Sequence, residues 1–225
     1  MADKLTGTKA HTRYYTSDGV SVPGTTTVTG LLNKPQLVLW ANRLGLEGID
    51  STKYRDKAAS IGTLAHLMVQ NYLGCVEQPD YSLFSSDDIS QAENALLSFW
   101  EWEKAHKIEP LFLEVPLVSD QYKFGGTVDC VAKMDGKLWL IDFKTGKAIY
   151  DEMAIQLAAY RQLLAEHGTH VDGCRILRIG RSEDEGFDDK VFENLNKNWE
   201  IFNHLLQIYY LKKEVAPAKK TRKAV

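Results

Sequence analysis

The sequence predicts a mixed α/β fold in which a central β-sheet is flanked by helices on both faces. Three observations lead to this prediction. Apolar residues recur at helical spacing in the first half of the chain, two apolar runs flank Asp135-Gly136 as in a β-hairpin, and a helix, a strand and a long helix follow. A length of 225 residues suits one domain of ordinary to large size, or one domain with an extension.

The composition is that of a globular protein. Hydrophobic residues make up 44% of the chain and charged residues 25%, which is not typical of disorder. No run of about 18 apolar residues predicts a membrane span, and the N-terminus lacks the apolar run of a secretory signal. The net charge of -3 counts mildly against nucleic-acid binding, although a local basic groove would be enough for it.

The three cysteines, Cys75, Cys130 and Cys174, are far apart and form no C-x-x-C pattern. We expect free thiols in a reducing compartment. A cysteine-bound zinc or iron–sulfur centre needs clustered ligands, so the sequence predicts no iron–sulfur cluster.

The first half of the chain is predicted to be mainly helical. Residues 11–35 are rich in Thr, Ser, Gly and Val and indicate short strands and turns, and Pro35 suits the start of a helix. A second helix is expected over 52–73, because apolar residues recur at helical spacing, at Ala58, Ile61, Leu64, Ala65, Met68 and Tyr72. Ser and Asp residues at 85–87 favour the start of a third helix, over 87–106.

The second half is predicted to supply the sheet. Its elements follow in order as strands 111–118, 126–134 and 137–144, helix 152–166, strand 173–179, a charged loop 181–190 and a helix 191–213. Pro116 places the first of these strands at a sheet edge, or marks its end. We divide the chain into an N-terminal extension packed on the core (1–50), a main domain (51–213) and a basic disordered tail (214–225).

The hairpin brings acidic residues together. If Asp135-Gly136 is a two-residue turn, Met134 faces Lys137, and in the same register Asp129 falls opposite Asp142, with Cβ atoms about 5 Å apart. Two carboxylates so placed repel each other unless a cation lies between them, and Mg²⁺ binds through one or two carboxylates. Lys144 is two residues beyond Asp142, so both side chains share a strand face.

The two faces of the hairpin differ. The face away from the aspartates is expected to form a core, from Val128, Cys130, Ala132, Trp139, Ile141 and Phe143. Val131, Leu138 and Leu140 share the aspartate face, which indicates that this face is covered too. From the hairpin alone, solvated aspartates on an exposed sheet remain an alternative. A retaining glycosidase, with carboxyl groups about 5–5.5 Å apart, is a lesser one, since it needs no lysine.

Four short motifs together resemble the PD-(D/E)XK nuclease superfamily. They are I-G-T-L-A-H at 61–66, G-T-V-D at 126–129, I-D-F-K-T-G at 141–146 and Q-L-A-A-Y at 156–160. The nearest branch is the RecB-like group of exonucleases, which includes Cas4-like proteins and the mitochondrial genome maintenance exonuclease. The resemblance covers residues 60–165 and implies a restriction-endonuclease-like core.

The resemblance implies roles for the matching positions. His66, Asp129 and Asp142 would bind a metal ion, with the carbonyl of Phe143 as a further ligand. Three departures from relatives stand out. The chain lacks the four cysteines of Cas4-like members, Val128 replaces the proline of the superfamily's name, and no G-x-x-x-x-G-K-[ST] loop indicates a helicase motor.

The remaining implied roles belong to catalysis. Lys144 would orient or polarise the attacking water and neutralise charge in the transition state. Glu114 resembles an acidic position that supports metal-bound water. Gln156 and Tyr160, four residues apart on one helix face, would brace the lysine and contact the DNA backbone.

The activity implied is that of a Mg²⁺-dependent deoxyribonuclease, with Mn²⁺ expected to substitute. An exonuclease that leaves 5′-phosphates is favoured, acting on single-stranded DNA or DNA ends in repair, recombination or replication, with a phage origin left open. A sequence- or structure-specific endonuclease and a non-catalytic DNA-binding subunit are the alternatives. We expect a cytoplasmic location in a bacterial or phage-infected cell and no membrane contact. A homo-oligomer, or a recombination or replication partner, is left open.

The sequence gives less information about the surface that would bind DNA. Basic residues that could line a backbone groove are Lys123, Lys144, Lys147, Arg161, Arg175, Arg178 and Arg181. Trp and Tyr residues within 39–54 could stack on unpaired bases. The basic run Lys219, Lys220, Arg222 and Lys223 could add a weak contact.

Overall fold

A five-stranded mixed sheet forms the centre of the molecule, in a computed structural model that describes residues 12–74 and 78–215. The strands lie in the order β3-β4-β5-β6-β7, and their bounds are Ile108–Ser119, Phe124–Met134, Lys137–Lys144, Gly173–Ile179 and Phe187–Phe192. Neighbouring strands are antiparallel except β5 and β6, which run parallel. A parallel pair needs a crossover connection, and helix α5, Asp151–Glu166, supplies it.

Helices cover both faces of the sheet. Besides α5, they are α1 (Thr25–Thr29), α2 (Pro35–Leu46), α3 (Ser51–Tyr72), α4 (Ser86–Glu103) and α6 (Asn196–Val215). Helices α3 and α4 pack on one face, in a core cluster that includes Ile141 and Phe143. Helices α5 and α6 pack on the other, in a cluster that includes Leu140 and Ile176. The predicted sheet with helices on both faces is therefore confirmed.

Helices α3 and α4 each begin within one residue of the predicted start, at polar caps. The Asp50 carboxylate accepts hydrogen bonds from the amides of Thr52 and Lys53 and starts α3. Ser85 and Asp88 form a reciprocal capping box at the start of α4. The cap of α3 matters for the site because that helix carries His66.

Three stretches differ from the sequence prediction. Residues 25–29, expected among short strands and turns, form helix α1. Residues 187–192, assigned to a charged loop and a helix start, form the edge strand β7, and the last helix begins only at Asn196. The edge strand exposes most of its residues, so it lacks the apolar alternation that indicates a strand. Helix α6 continues through Val215, which includes the first two residues of the predicted tail; the rest of that tail lies outside the described residues.

A short hairpin near the N-terminus lies against β4. Its strands are β1, Tyr14–Tyr15, and β2, Ser21–Val22. The Thr25 hydroxyl donates to the carbonyl of Gly125 at 2.9 Å, and the Tyr14 hydroxyl lies 2.9 Å from that of Thr127. The Tyr14 contact holds the hairpin, and the Thr25 contact holds α1, beside the strand that leads to Asp129. Among the described helices, none combines the length and apolar character needed to cross a bilayer.

Candidate active site

The register of the β4–β5 hairpin follows the prediction for five pairs and then departs from it. Pairing runs from Met134 opposite Lys137 to Cys130 opposite Ile141. The expected pairing of Asp129 with Asp142 is not found. The Asp129 carboxylate instead accepts a hydrogen bond from the Phe143 amide at 3.0 Å, so a side chain satisfies the backbone donor where the two strands separate.

Side-chain alternation breaks at this point in two adjacent strands. On β4, Cys130 packs with α3 and α4, whereas Val128 packs with α5 and α6, so the expected place of Val128 on the former face is wrong. On β3, Leu113 packs with α3 and α4, whereas Leu117 packs with α5 and α6. A strand period of two would put both residues on one face.

The break on β3 includes Glu114, which lies between the residue pairs Leu113–Cys130 and Val115–Val128, as Asp129 does on β4. The φ of Glu114 is +50°, a left-handed conformation that side chains with a Cβ rarely adopt. Such backbone strain is common at functional sites. Here it coincides with the reversal of the faces in both strands.

Three side chains with metal-binding atoms converge at the break. One ligand atom each from His66, Glu114 and Asp129 lies within 4.8 Å of the others. His66 Nδ1 lies 3.8 Å from Asp129 Oδ2, and its ring packs edge-on against Phe143 with centroids 6.1 Å apart. Glu114, expected only to support metal-bound water, is thus one of the three residues whose ligand atoms converge.

The position of His66 depends on a glycine one turn earlier. A Cβ on Gly62 would lie 2.7 Å from the Thr145 hydroxyl, so α3 passes very close to the end of β5. Close approach of a backbone is a usual reason for glycine. The G-x-x-x-H spacing therefore combines a contact point at Gly62 with a ligand at His66.

Asp142 and Lys144 form a buried ion pair beside the cluster. Lys144 Nζ lies 2.6 Å from Asp142 Oδ2, and Asp142 is only 1% exposed. Burial raises the pKa of Asp142 to about 6, although Lys144 opposes the shift and Asp129 adds to it. Burial alone would lower the pKa of Lys144, but the charges of Asp142 and Asp129 outweigh it and raise that pKa.

The donor set fits a divalent cation. Within the described residues, the buried Oδ1 of Asp142 has no hydrogen-bond partner, and such an atom is costly unless something binds it. Carboxylates suit Mg²⁺ and Mn²⁺, and an imidazole suits transition-metal ions. The two described free cysteines, Cys130 and Cys174, are buried in the two core clusters.

Gln156 and Tyr160 lie on α5, on the face of the sheet that carries Asp142. Gln156 Nε2 donates to the Tyr160 hydroxyl at 2.7 Å. Burial, together with the charges of Asp142 and Asp129, raises the pKa of Tyr160 well above its ordinary value, so the hydroxyl stays neutral. A Cβ on Gly126 would lie 2.6 Å from the Tyr160 ring, which shows how closely β4 supports that ring.

Sequence reasoning missed Gln70. This residue of α3 is 2% exposed, and its side-chain amide donates a hydrogen bond to Glu114 Oε1. The available signal was its spacing of four residues from His66, which places both side chains on one helix face.

Two members of the predicted basic groove are not available to DNA. Arg175 and Arg178 are each 5% exposed and form ion pairs with Asp189 and Asp188. They lie on β6, which is buried on both faces, and a buried guanidinium requires a partner. Lys147, in contrast, is exposed at the end of β5, near Lys144.

The mixed sheet and the clustered acids, histidine and lysine have the arrangement that the sequence motifs led us to expect of a nuclease. A sequence profile of the PD-(D/E)XK nuclease superfamily matches residues 40–216. That span is most of the molecule, and the chain belongs to this superfamily.

Two of the solved structures to which this chain is similar are described as exonucleases. A proposed exonuclease from Eubacterium rectale is 12% identical, with a TM-score of 0.45 over 73% of this chain and 77% of that one. An alkaline exonuclease from Laribacter hongkongensis is 16% identical, with a TM-score of 0.35 over 68% and 82%. The Laribacter protein has also been solved in complex with dAMP. Among curated proteins, none matches this chain.

Proposed function

We propose that this protein is a divalent-metal-dependent DNA exonuclease that hydrolyses phosphodiester bonds and leaves 5′-phosphates. The observation that supports this most is the buried Asp142–Lys144 ion pair next to the cluster of His66, Glu114 and Asp129. A purely structural sheet has no use for this arrangement, because burying a carboxylate without full hydrogen bonding costs stability.

The metal would be held by His66, Asp129 and Asp142, with the carbonyl of Phe143 as a further ligand. Glu114 would bind it directly or through water, since its carboxylate lies in the same cluster. When bound, Mg²⁺ or Mn²⁺ would supply Lewis-acid activation of water and of the phosphate. The Phe143 amide fixes one oxygen of Asp129, so this ligand is oriented before any metal arrives.

Lys144 would act on the substrate itself. Its ammonium group is held at the site by Asp142, and the raised pKa of the lysine keeps it charged at neutral pH. A fixed positive charge stabilises the negative charge that builds on the phosphate in the transition state. The same group can donate a hydrogen bond that orients the attacking water.

Gln156, which is half-buried, would contact the DNA backbone, and Tyr160, which is 5% exposed, would brace it. Because the side-chain nitrogen of Gln156 donates to Tyr160, the amide oxygen of Gln156 is left for the substrate. The same bond fixes the direction of the Tyr160 hydroxyl, on the face of the sheet that holds Asp142. Exposed Lys147 and the edge-to-face pair of Trp40 and Tyr54, with ring centroids 5.8 Å apart, are the further candidates for backbone and base contacts.

The preference for DNA ends rests on the resemblance of the sequence motifs to RecB-like exonucleases. We extend the proposal to a role in DNA repair, recombination or replication. The test is digestion of linear and covalently closed DNA, each single- and double-stranded, with Mg²⁺. Loss of linear DNA alone, with nucleotides that carry 5′-phosphate, supports an exonuclease.

The outcomes separate the alternatives. Cleavage of closed circles would identify an endonuclease instead. Binding without cleavage, in both Mg²⁺ and Mn²⁺, would identify a non-catalytic DNA-binding subunit. Cleavage that survives Asp142→Ala at normal Mg²⁺ concentration would overturn the assignment of the site.

A further inference from the structure

A buried glutamine connects α3 to the cluster of His66, Glu114 and Asp129. Gln70 is 2% exposed, although glutamine is usually found at protein surfaces. Its side-chain amide donates to Glu114 Oε1 across 44 residues of sequence. A buried amide is tolerated when it is hydrogen-bonded, so this contact explains why a polar residue can occupy the position.

The partner of this hydrogen bond, Glu114, has a strained backbone. Glu114 holds a φ of +50° within a β-strand. A glutamate side chain also has several rotatable bonds, and fixing them costs conformational entropy. The side chain therefore needs a contact to keep its carboxylate in one place.

We propose that Gln70 is a positioning residue that holds the Glu114 carboxylate in the metal cluster and so sets the affinity of the site for its divalent cation. The inference rests on the proposed function. It assigns to α3 two tasks in one helical turn, since His66 offers a ligand directly and Gln70, four residues later, acts through Glu114.

Partners that orient metal ligands commonly change metal affinity about 10- to 100-fold when they are removed. Gln70→Leu keeps a similar volume and removes the amide. We expect it to weaken Mn²⁺ binding, measured by titration calorimetry, by about 10- to 100-fold. At saturating Mn²⁺ the cleavage rate should return close to that of the wild type, because Lys144 and the other ligands are intact.

A matched control is present on α5. Gln162 Nε2 donates to Glu166 Oε1 at 3.0 Å, a glutamine–glutamate bond of the same chemistry on a helix surface. Gln162→Ala should leave Mn²⁺ affinity unchanged. Thermal unfolding in a chelator, recorded for each variant, reports any general loss of stability, which by itself does not shift the metal titration of the folded protein.

A double-mutant cycle separates positioning from packing. In a Glu114→Ala background, Gln70→Leu should cause no further loss of Mn²⁺ affinity, because the group it positions is gone. The same loss in both backgrounds would overturn the proposal, as would unchanged affinity in Gln70→Leu alone. If the leucine variant does not fold, Gln70→Asn takes its place, since it keeps the amide but shortens its reach.

Asp129→Ala distinguishes this inference from the proposed function. If Asp129→Ala abolishes Mn²⁺ binding while Gln70→Leu has no effect, only the positioning role fails. If Asp129→Ala also leaves binding unchanged, the metal site itself is wrongly placed.

Discussion

The charge state of single residues decides what this site can do. Asp142 is buried and carries a raised pKa, yet its neighbour Lys144 is held at 2.6 Å and stays protonated. Carboxylate and ammonium therefore coexist at neutral pH. That combination suits a reaction in which one group binds a cation and the other meets the negative charge of a phosphate.

Removal of Lys144 should stop the chemistry. We predict that Lys144→Ala lowers the rate of DNA cleavage by about 100-fold or more, since it removes the charge that stabilises the transition state. The measurement is single-turnover digestion of labelled DNA, with circular dichroism as a check on folding. Lys133→Ala changes an exposed lysine of the same hairpin and should cleave like the wild type. Equal losses in both variants would contradict a specific role for Lys144.

Acidity should switch the site off. Because the pKa of Asp142 is raised from 3.8 to about 6, this carboxyl takes up a proton as the pH falls through 6. A protonated carboxyl binds cations poorly, so at limiting Mg²⁺ the rate of cleavage should decrease when the pH is lower than about 6. Excess Mg²⁺ favours the ionised form and should move the fall to lower pH. A pH–rate profile that does not change with the Mg²⁺ concentration would contradict the assignment of this decrease to Asp142.

The backbone of Glu114 gives a stability test. Glycine accepts a positive φ far more readily than alanine, so Glu114→Gly should be more stable than Glu114→Ala by about 1 kcal/mol. At Glu109, on the same strand, φ is not positive, and there the alanine variant should be the more stable of the pair. Denaturant unfolding of the four metal-free proteins measures both differences. The same order at both positions would show that Glu114 is not strained.

The sequence identified several of these residues but not their contacts. The two-residue turn fixes five residue pairs of the hairpin and so brings Asp129, Asp142 and Lys144 near one another, although Asp129 and Asp142 do not pair as expected. The hydrogen bond from the Phe143 amide to Asp129 and the one from Gln70 to Glu114 could not be predicted. Each depends on the exact separation of backbones that are distant in sequence.

At the scale of elements, the site occurs where regular strand structure fails. On β3 and β4, the side chains exchange sheet faces at Glu114 and Asp129. Strand β5 separates from β4 directly after the pair Cys130–Ile141. A regular ladder would have directed each side chain into one of the two cores. The break instead directs carboxylates from neighbouring strands to a common point.

Tight packing between elements should be as important as the charges. A Cβ on Gly126 would lie 2.6 Å from both the Thr25 hydroxyl and the Tyr160 ring. We predict that Gly126→Ala destabilises the protein by about 1–3 kcal/mol and slows cleavage, because the ring must move. Gly45→Ala, in α2 with no atom within 4 Å, should be neutral or stabilising by up to about 1 kcal/mol. Wild-type stability and cleavage in Gly126→Ala would contradict the importance of this contact.

The elements themselves were largely predictable, with instructive exceptions. Helices α3 and α4 have polar caps and apolar spacing, and both were expected close to their observed bounds. Strand β7 was missed because an edge strand with mostly exposed residues leaves no apolar alternation to detect. The reversal at Glu114 was not predictable from β3 alone, since it depends on the strand beside it.

At the scale of the whole molecule, the site joins the two cores of the domain. His66 and Gln70 come from α3 on one face of the sheet, whereas Gln156 and Tyr160 come from α5 on the other. Asp129 and Asp142 lie between them, where the strands separate. Neither layer carries the complete set of groups, so the site depends on the folded domain.

The most direct test of the metal site is anomalous diffraction from crystals that contain Mn²⁺. We predict a strong anomalous peak within coordination distance of His66, Asp129 and Asp142, with Glu114 bound to it directly or through water, and no such peak in Asp129→Ala. A peak elsewhere, with this cluster unoccupied at Mn²⁺ concentrations that support DNA cleavage, would contradict the site proposed here.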